Sequence, residues 1–312
     1  MKERQRCFDT FGLMLSGEHH ELLKINPAAL CQAVHFAGAV LLRDSEMDIP
    51  GFMQLSDACS VNFSSYAGAG FRGGPLHGDA IGESSASLAV SARAPAWGVP
   101  LHGECFYQRE RPQFLWLYCD EAPESGGQTT FARAREVFAA MPADLQKYFR
   151  ELRVRYVRYL EARQWQVALG TTAPAAIQAF CKRNGLILER LEGDGWRTTF
   201  EAPAVCEDPL GPMFINALLL LWWGERAAEQ GPTNHLSGKP PGVALVVRDA
   251  SEQPLPADLM QRATECAESV TREHRWQQGD IAIVDNRTTL HGRRRPLDGR
   301  RNILVRLATA VA

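Results

Sequence analysis

No two of the eight cysteines, at 7, 31, 59, 105, 119, 181, 206 and 266, form a Cys-x-x-Cys pair or share a regular spacing. Over 312 residues this excludes a small disulfide-stapled scaffold and a thiolate metal cluster, and it reads as reduced, cytoplasmic thiols. A surplus charge is missing too. Thirty-four Lys and Arg face 36 Asp and Glu, a formal charge of -2, so no net field draws nucleic acid or an anionic membrane, and neither is an expected partner. The charged opening, Met1 to Cys7, is not followed by an apolar signal core, which argues against export. The longest apolar run, 215–223 interrupted by Asn216, falls far short of the roughly 20 residues of a membrane span. Internal repeats and low-complexity segments are also absent.

What is present suits an ordinary globular chain, with 45% hydrophobic and 22% charged residues, and a single domain over 1–312 is the simpler reading. Apolar or alternating runs at 36–43, 86–92, 114–119, 129–131, 152–156, 281–285 and 302–309 predict short strands between turns, hence a mainly β core. Residues 132–141, 143–150, 174–184 and 256–276 carry helical spacing. The Gly- and Ser-rich stretch 64–86 reads as loop. Between about 160 and 245 the pattern is mixed, with Trp165, Trp196, Trp222 and Trp223 among Gly-Pro breaks, and is expected to be an inserted lid.

Chemistry concentrates in few places. His102-Gly103-Glu104 sets an imidazole and a carboxylate two residues apart, on one face if the segment is a strand. His291 follows the predicted strand 281–285 after a short link. Two histidines and one carboxylate form the facial triad that holds non-haem iron(II) and leaves positions open for a cosubstrate and oxygen. Taken alone, the same three residues also suit a zinc hydrolase or lyase, or a non-catalytic β-barrel binding module with structural histidines. Cys105 is a weak candidate nucleophile, since on a regular strand it faces away from His102 and Glu104.

Motifs in both halves of the chain, in a fixed order, separate these readings. Val99-Pro-Leu-His-Gly-Glu-Cys-Phe-Tyr107, Arg111-Pro-Gln-Phe-Leu-Trp-Leu-Tyr-Cys119 and Pro123-Glu-Ser-Gly-Gly-Gln-Thr-Thr-Phe131 resemble the first half of the taurine dioxygenase-like (clavaminate synthase-like) superfamily of iron(II)/2-oxoglutarate oxygenases. His274-Arg-Trp276, Gly279-Asp280, Asp285-Asn286-Arg287 and His291-Gly-Arg293, followed by Gly299-Arg-Arg301, resemble its second half.

The resemblance implies a double-stranded β-helix (jelly-roll, cupin-like) core with flanking helices and a large lid. It implies Fe(II), 2-oxoglutarate and O2 as cofactor and cosubstrates, with His102, Glu104 and His291 as metal ligands. It gives Thr129 the distal carboxylate of 2-oxoglutarate, with Arg301 as the matching cation and Arg306 as the alternative or a substrate contact. Arg306 lies five residues further on and, without a bulge, on the opposite face. The basic run 293–295 is read as a solvated turn. Glu stands where the family more often has Asp. Related halogenases carry a small residue at that place, so Glu104 disfavours halogenation.

The chemistry implied is oxidative decarboxylation of 2-oxoglutarate to succinate and CO2 coupled to C–H hydroxylation. The layout resembles branches acting on amino acids or amino-acid-derived intermediates, free or presented by a carrier protein, in natural-product biosynthesis. Desaturation or cyclisation, as in a related isonitrile-amino-acid branch, is the alternative outcome.

Overall fold

A computed structural model describes residues 3–64, 88–90, 98–160, 173–191, 195–229, 245–297 and 301–310. Its larger sheet has eight strands, in the order Glu3–Arg6, Leu13–Ser16, Ala39–Arg43, Ile281–Asp285, Phe114–Glu121, Asn302–Ala310 and Val61–Ser64, with Leu88–Val90 also paired to Asn302–Ala310. Only Leu13–Ser16 and Ala39–Arg43 run parallel. The central strands read as unbroken apolar runs because both of their faces are covered. Trp116, Tyr118, Ile283 and Leu304 point one way, into a cluster with Leu30, Val34, Phe52 and Leu55 of the helices Pro27–Ala37 and Ile49–Cys59. Leu117, Val284, Ile303 and Val305 point the other way and meet Phe131 and Trp276. Each such side chain, fully buried, contributes about 1.5–3 kcal/mol relative to exposure.

Phe131 belongs to a second, antiparallel sheet ordered Arg272–His274, Thr129–Arg133, Thr289–Arg293, Val99–His102. The site lies between these two sheets. The smaller sheet's other face, through Leu101, Ala132 and Leu290, joins a large cluster with the helices Ala134–Ala140, Leu218–Glu229 and Ala257–Ser269. The expected mainly β architecture with flanking helices is therefore present.

Within the span 160–245, the described residues form the helix Pro174–Asn184, the strands Ile187–Arg190 and Trp196–Pro203, the paired strands Cys206–Asp208 and Gly211–Met213, and the helix Leu218–Glu229 already placed in the core. The strands Ile187–Arg190 and Trp196–Pro203 extend a four-stranded antiparallel sheet with Arg153–Leu160 and Leu245–Arg248. Residues 161–172, 192–194 and 230–244 of the expected lid lie outside the described residues, as do 65–86 of the expected loop and 86, 87, 91 and 92 of the expected strand 86–92.

Of the boundaries that differ from expectation, two have a clear physical cause. The strand expected at 36–43 begins only at Ala39, because Phe36 and Ala37 end the helix Pro27–Ala37. Gly38, at φ 79°, makes the left-handed stop that a side chain resists. The helix expected over 256–276 stops at Ser269, because Arg272–His274 pairs with the edge of the smaller sheet, His274 opposite Thr129. Tertiary pairing overrides the local helical spacing.

Candidate functional site

The strands Val99–His102 and Thr289–Arg293 are neighbours, and His102 stands directly across from His291. Cross-strand partners point to the same face, so the two rings come together, 4.2 Å apart at their centroids. Gly292 makes this register possible. A Cβ there would meet the Val99 carbonyl at 2.5 Å and the Thr130 hydroxyl at 2.8 Å, and the pairing is irregular between His291 and Arg293.

Glu104 arrives differently from expectation. The strand ends at His102, so the shared face of a regular strand does not explain its position. The chain turns instead, and the turn is pinned twice: Gly103 N–H donates to the Asn216 carbonyl at 2.7 Å, and Glu104 N–H donates to Asn286 Oδ1 at 2.8 Å. The Asn286 amide also donates to the carbonyls of Glu104 (3.0 Å) and Pro112 (2.8 Å). Glu104 Oε2 thereby lies 3.9 Å from His102 Nε2 and 3.7 Å from His291 Nε2. Among the described residues, one donor atom from each lies within 4.8 Å of the others.

The donor set fits a divalent iron. Cis ligands about 2.1 Å from one ion stand about 3 Å apart, so the observed spacings close on a metal with small side-chain adjustments. Burial pushes both histidines below their ordinary pKa, His291 well below, which keeps the rings neutral and their lone pairs available. His102 Nδ1 sits 2.9 Å from the Pro100 carbonyl; donating there, it leaves Nε2 as the free donor atom.

The same cavity holds a second group of residues. Thr129, Arg293 and Arg301 line it together with the triad and with Leu115, Leu117, Ile303 and Val305. Thr129 Oγ1 accepts from Trp276 Nε1 at 2.9 Å and from Arg301 Nη2 at 3.1 Å. With both lone pairs engaged, its hydroxyl proton is left to donate into the cavity. Arg301 Nε donates to the Gly127 carbonyl at 2.9 Å. The Gly126-Gly127 turn that offers this carbonyl has φ of 70° and 67°, the left-handed region open to glycine. Burial, then the charge of Arg293, lowers the Arg301 guanidinium to about 9.

Arg306 is not brought to the cavity. It points to the opposite face of its strand, where it pairs with Asp57 at 2.7 Å, hydrogen-bonds Ser56 and stacks over Phe63 at 3.7 Å. The basic run 293–295 needs correction. Arg294 does pair at the surface with Glu268 and Glu273, but Arg293 is only 6% exposed and lines the cavity, because it shares the inward face of its strand with His291. Cys105 departs from expectation as well. It lies in the turn beyond the strand's end with a φ of 60°, and Sγ lies 3.7 Å from Glu104 Oε1, yet burial raises the thiol pKa and leaves it a poor nucleophile.

The chain is similar to known proteins in sequence and in fold. The sequence pattern of the "Taurine catabolism dioxygenase TauD, TfdA family" matches residues 16–308. The chain belongs to that family. A clavaminate synthase-like protein of Arabidopsis thaliana is 24% identical over 303 residues, covering 92% of this chain and 86% of its own. The dapdiamide synthesis protein DdaC of Enterobacter agglomerans is 26% identical over 232 residues, covering 67% and 65%. Among solved structures, PvcB of Pseudomonas aeruginosa superposes with a TM-score of 0.56 at 18% identity, covering 96% of this chain and 86% of that one, and shares the fold. As a TauD/TfdA dioxygenase the protein is an oxidoreductase that uses iron(II), 2-oxoglutarate and O2.

Asn286 and Trp276 fall within motifs that the sequence singled out, without a role for either residue. Their parts are visible only in contacts across 182 and 147 residues. Replacing Asn286 with Ala strips three buried hydrogen bonds, two of them to the Glu104 turn and one to the Pro112 carbonyl. Iron(II) affinity is expected to fall about 10–100-fold and stability by about 2–3 kcal/mol, whereas Asn286→Asp keeps the acceptor for Glu104 N–H and loses less. Metal titration of the apoprotein reads this directly, and an unchanged dissociation constant in the Ala variant counts against the positioning role.

Proposed function

We propose that this TauD/TfdA dioxygenase hydroxylates a C–H bond of an amino acid or amino-acid-derived intermediate, free or carrier-bound, in a natural-product pathway. The observation that carries the reading is one cavity with two ends. His102, Glu104 and His291 converge at one end, and Thr129 and Arg301 at the other. Thr129 stands opposite Arg293, two residues along the strand from His291, a separation of about 6.7 Å. A five-carbon 2-oxo diacid spans that distance, with its oxo-acid end at the triad and its distal carboxylate at the hydroxyl and guanidinium.

In this reading His102, Glu104 and His291 hold iron(II), and the chemistry supplied there is O2 activation coupled to decarboxylation of 2-oxoglutarate to succinate and CO2. Thr129 donates to the distal carboxylate, and Arg301 neutralises it. Leu115, Leu117, Ile303 and Val305 keep the floor of the cavity apolar and exclude water. The two facing sheets correspond to the halves of a double-stranded β-helix; of the segment at about 160–245 expected as a lid, the helix Leu218–Glu229 packs into the cluster behind the smaller sheet and is no part of one. The substrate class draws support from the pathway names of relatives: dapdiamide synthesis for DdaC, and an isonitrile synthetic pathway for PvcB, itself described as an iron- and alpha-ketoglutarate-dependent oxygenase.

The test is a screen of amino acids, free and carrier-bound, with iron(II), 2-oxoglutarate and O2. Stoichiometric succinate and a product heavier by one oxygen are expected for one substrate class. Turnover restored by zinc, or succinate formation independent of every amino acid offered, speaks against the reading.

A further inference from the structure

We propose that Arg293 is a second carboxylate-binding cation, so that the distal carboxylate of 2-oxoglutarate is gripped between two guanidiniums and the Thr129 hydroxyl. This rests on the 2-oxoglutarate reading above and adds to it a residue that selects the cosubstrate.

The placement is set by register. Arg293 is the cross-strand partner of Thr129, and cross-strand partners project from the same face. It stands two residues beyond His291, again on the same face. Arg293 therefore lies at the level of the Thr129 hydroxyl and not at that of the triad, and it lines the cavity beside Arg301. Both arginines are buried, 6% and 5% exposed.

Charge bookkeeping gives the ligand class. Among the described residues the cavity lining contains one carboxylate, Glu104, which is turned to His102 and His291 at the other end. Two like charges share the distal end, and the charge of Arg293 weighs on Arg301. Such an arrangement becomes favourable when an anion lies between the two. A planar carboxylate offers two oxygens with lone pairs for two donor forks. A monocarboxylic 2-oxo acid, spent at the metal end, offers the two guanidiniums no carboxylate, so the pair favours a diacid.

The test measures binding, not turnover. The full chain is loaded with iron(II) under anaerobic conditions, without amino-acid substrate, and titrated with 2-oxoglutarate and, separately, with 2-oxobutyrate, which lacks the distal carboxylate. Arg293→Met is expected to weaken 2-oxoglutarate binding by about 10–100-fold, to leave 2-oxobutyrate within about threefold, and to leave iron(II) affinity unchanged. Arg293→Lys, which keeps the charge and loses the fork, is expected in between and serves if the Met variant does not fold. Unchanged 2-oxoglutarate binding in both variants overturns the proposal and assigns Arg293 to the carboxylate of the substrate or to the fold. Equal weakening of both oxo acids overturns it too, as general damage to the cavity. A wild-type protein that binds no 2-oxoglutarate refutes the cosubstrate reading itself, a result distinct from either.

Discussion

Replacing Glu104 by Ala is expected to reduce succinate formation by about three orders of magnitude while leaving the fold intact. Among the described residues Glu104 is the one carboxylate in the lining of a cavity that also holds two buried arginines. Without it, a divalent ion meets two neutral imidazoles and no compensating charge at its own end of the cavity. Removing one member of a buried charge pair costs about 3–5 kcal/mol, and each 1.36 kcal/mol is tenfold in rate or affinity. The backbone of the turn keeps its bonds to Asn216 and Asn286, which do not involve the carboxylate, so the thermal midpoint should move little. Glu104→Asp keeps the charge on a shorter arm and should retain part of the activity. Its shortfall reports how firmly the two asparagines hold the turn, since a freer turn would advance to restore the reach. Succinate yield and an iron(II) titration on each variant check this. Wild-type succinate in the Ala variant overturns the assignment of Glu104 as a ligand.

Much of this site was legible along the chain because its parts are short and local. His102 and Glu104 are two residues apart, and Gly126-Gly127 announces a left-handed turn before Thr129. The family resemblance pointed to Arg301, strand alternation set Arg306 on the other face, and the structure places the two on opposite faces of one sheet. The same rule, applied to a strand that stops at His102, gave the wrong route for Glu104 and the wrong direction for Cys105. Alternation says nothing once the chain leaves the sheet.

What stayed hidden depends on partners far apart in sequence. Asn286 acts on a turn 182 residues earlier, and Trp276 fixes the proton of a hydroxyl 147 residues away. Arg293 looked like one of three similar surface charges until strand pairing set it across from Thr129, whereas Arg294 beside it turns outward to Glu268 and Glu273. The end of the helix Ala257–Ser269 was likewise decided by a neighbouring strand and not by its own residues.

Arg301→Met and Arg306→Met should then separate cleanly. Loss of the Arg301 guanidinium removes the bonds to the Gly127 carbonyl and the Thr129 hydroxyl and takes away a cation facing the distal carboxylate. Given 3–5 kcal/mol for one member of a buried pair, the 2-oxoglutarate concentration for half-saturation should rise about 10²–10³-fold, with iron(II) affinity retained because the triad is untouched. Thr129 also regains a free lone pair and can rotate away from its donor geometry, so part of the loss is indirect; Trp276→Phe, which frees the other lone pair, isolates that part. Arg306→Met has the opposite profile. Its losses are the ion pair with Asp57, the bond to Ser56 and the packing on Phe63, so the thermal midpoint should fall while 2-oxoglutarate affinity stays within about threefold. Anaerobic titration with 2-oxoglutarate and thermal unfolding on the two variants give both readouts. A 2-oxoglutarate defect confined to the Arg306 variant would reverse the assignment and require the strand Asn302–Ala310 to present its other face to the cosubstrate.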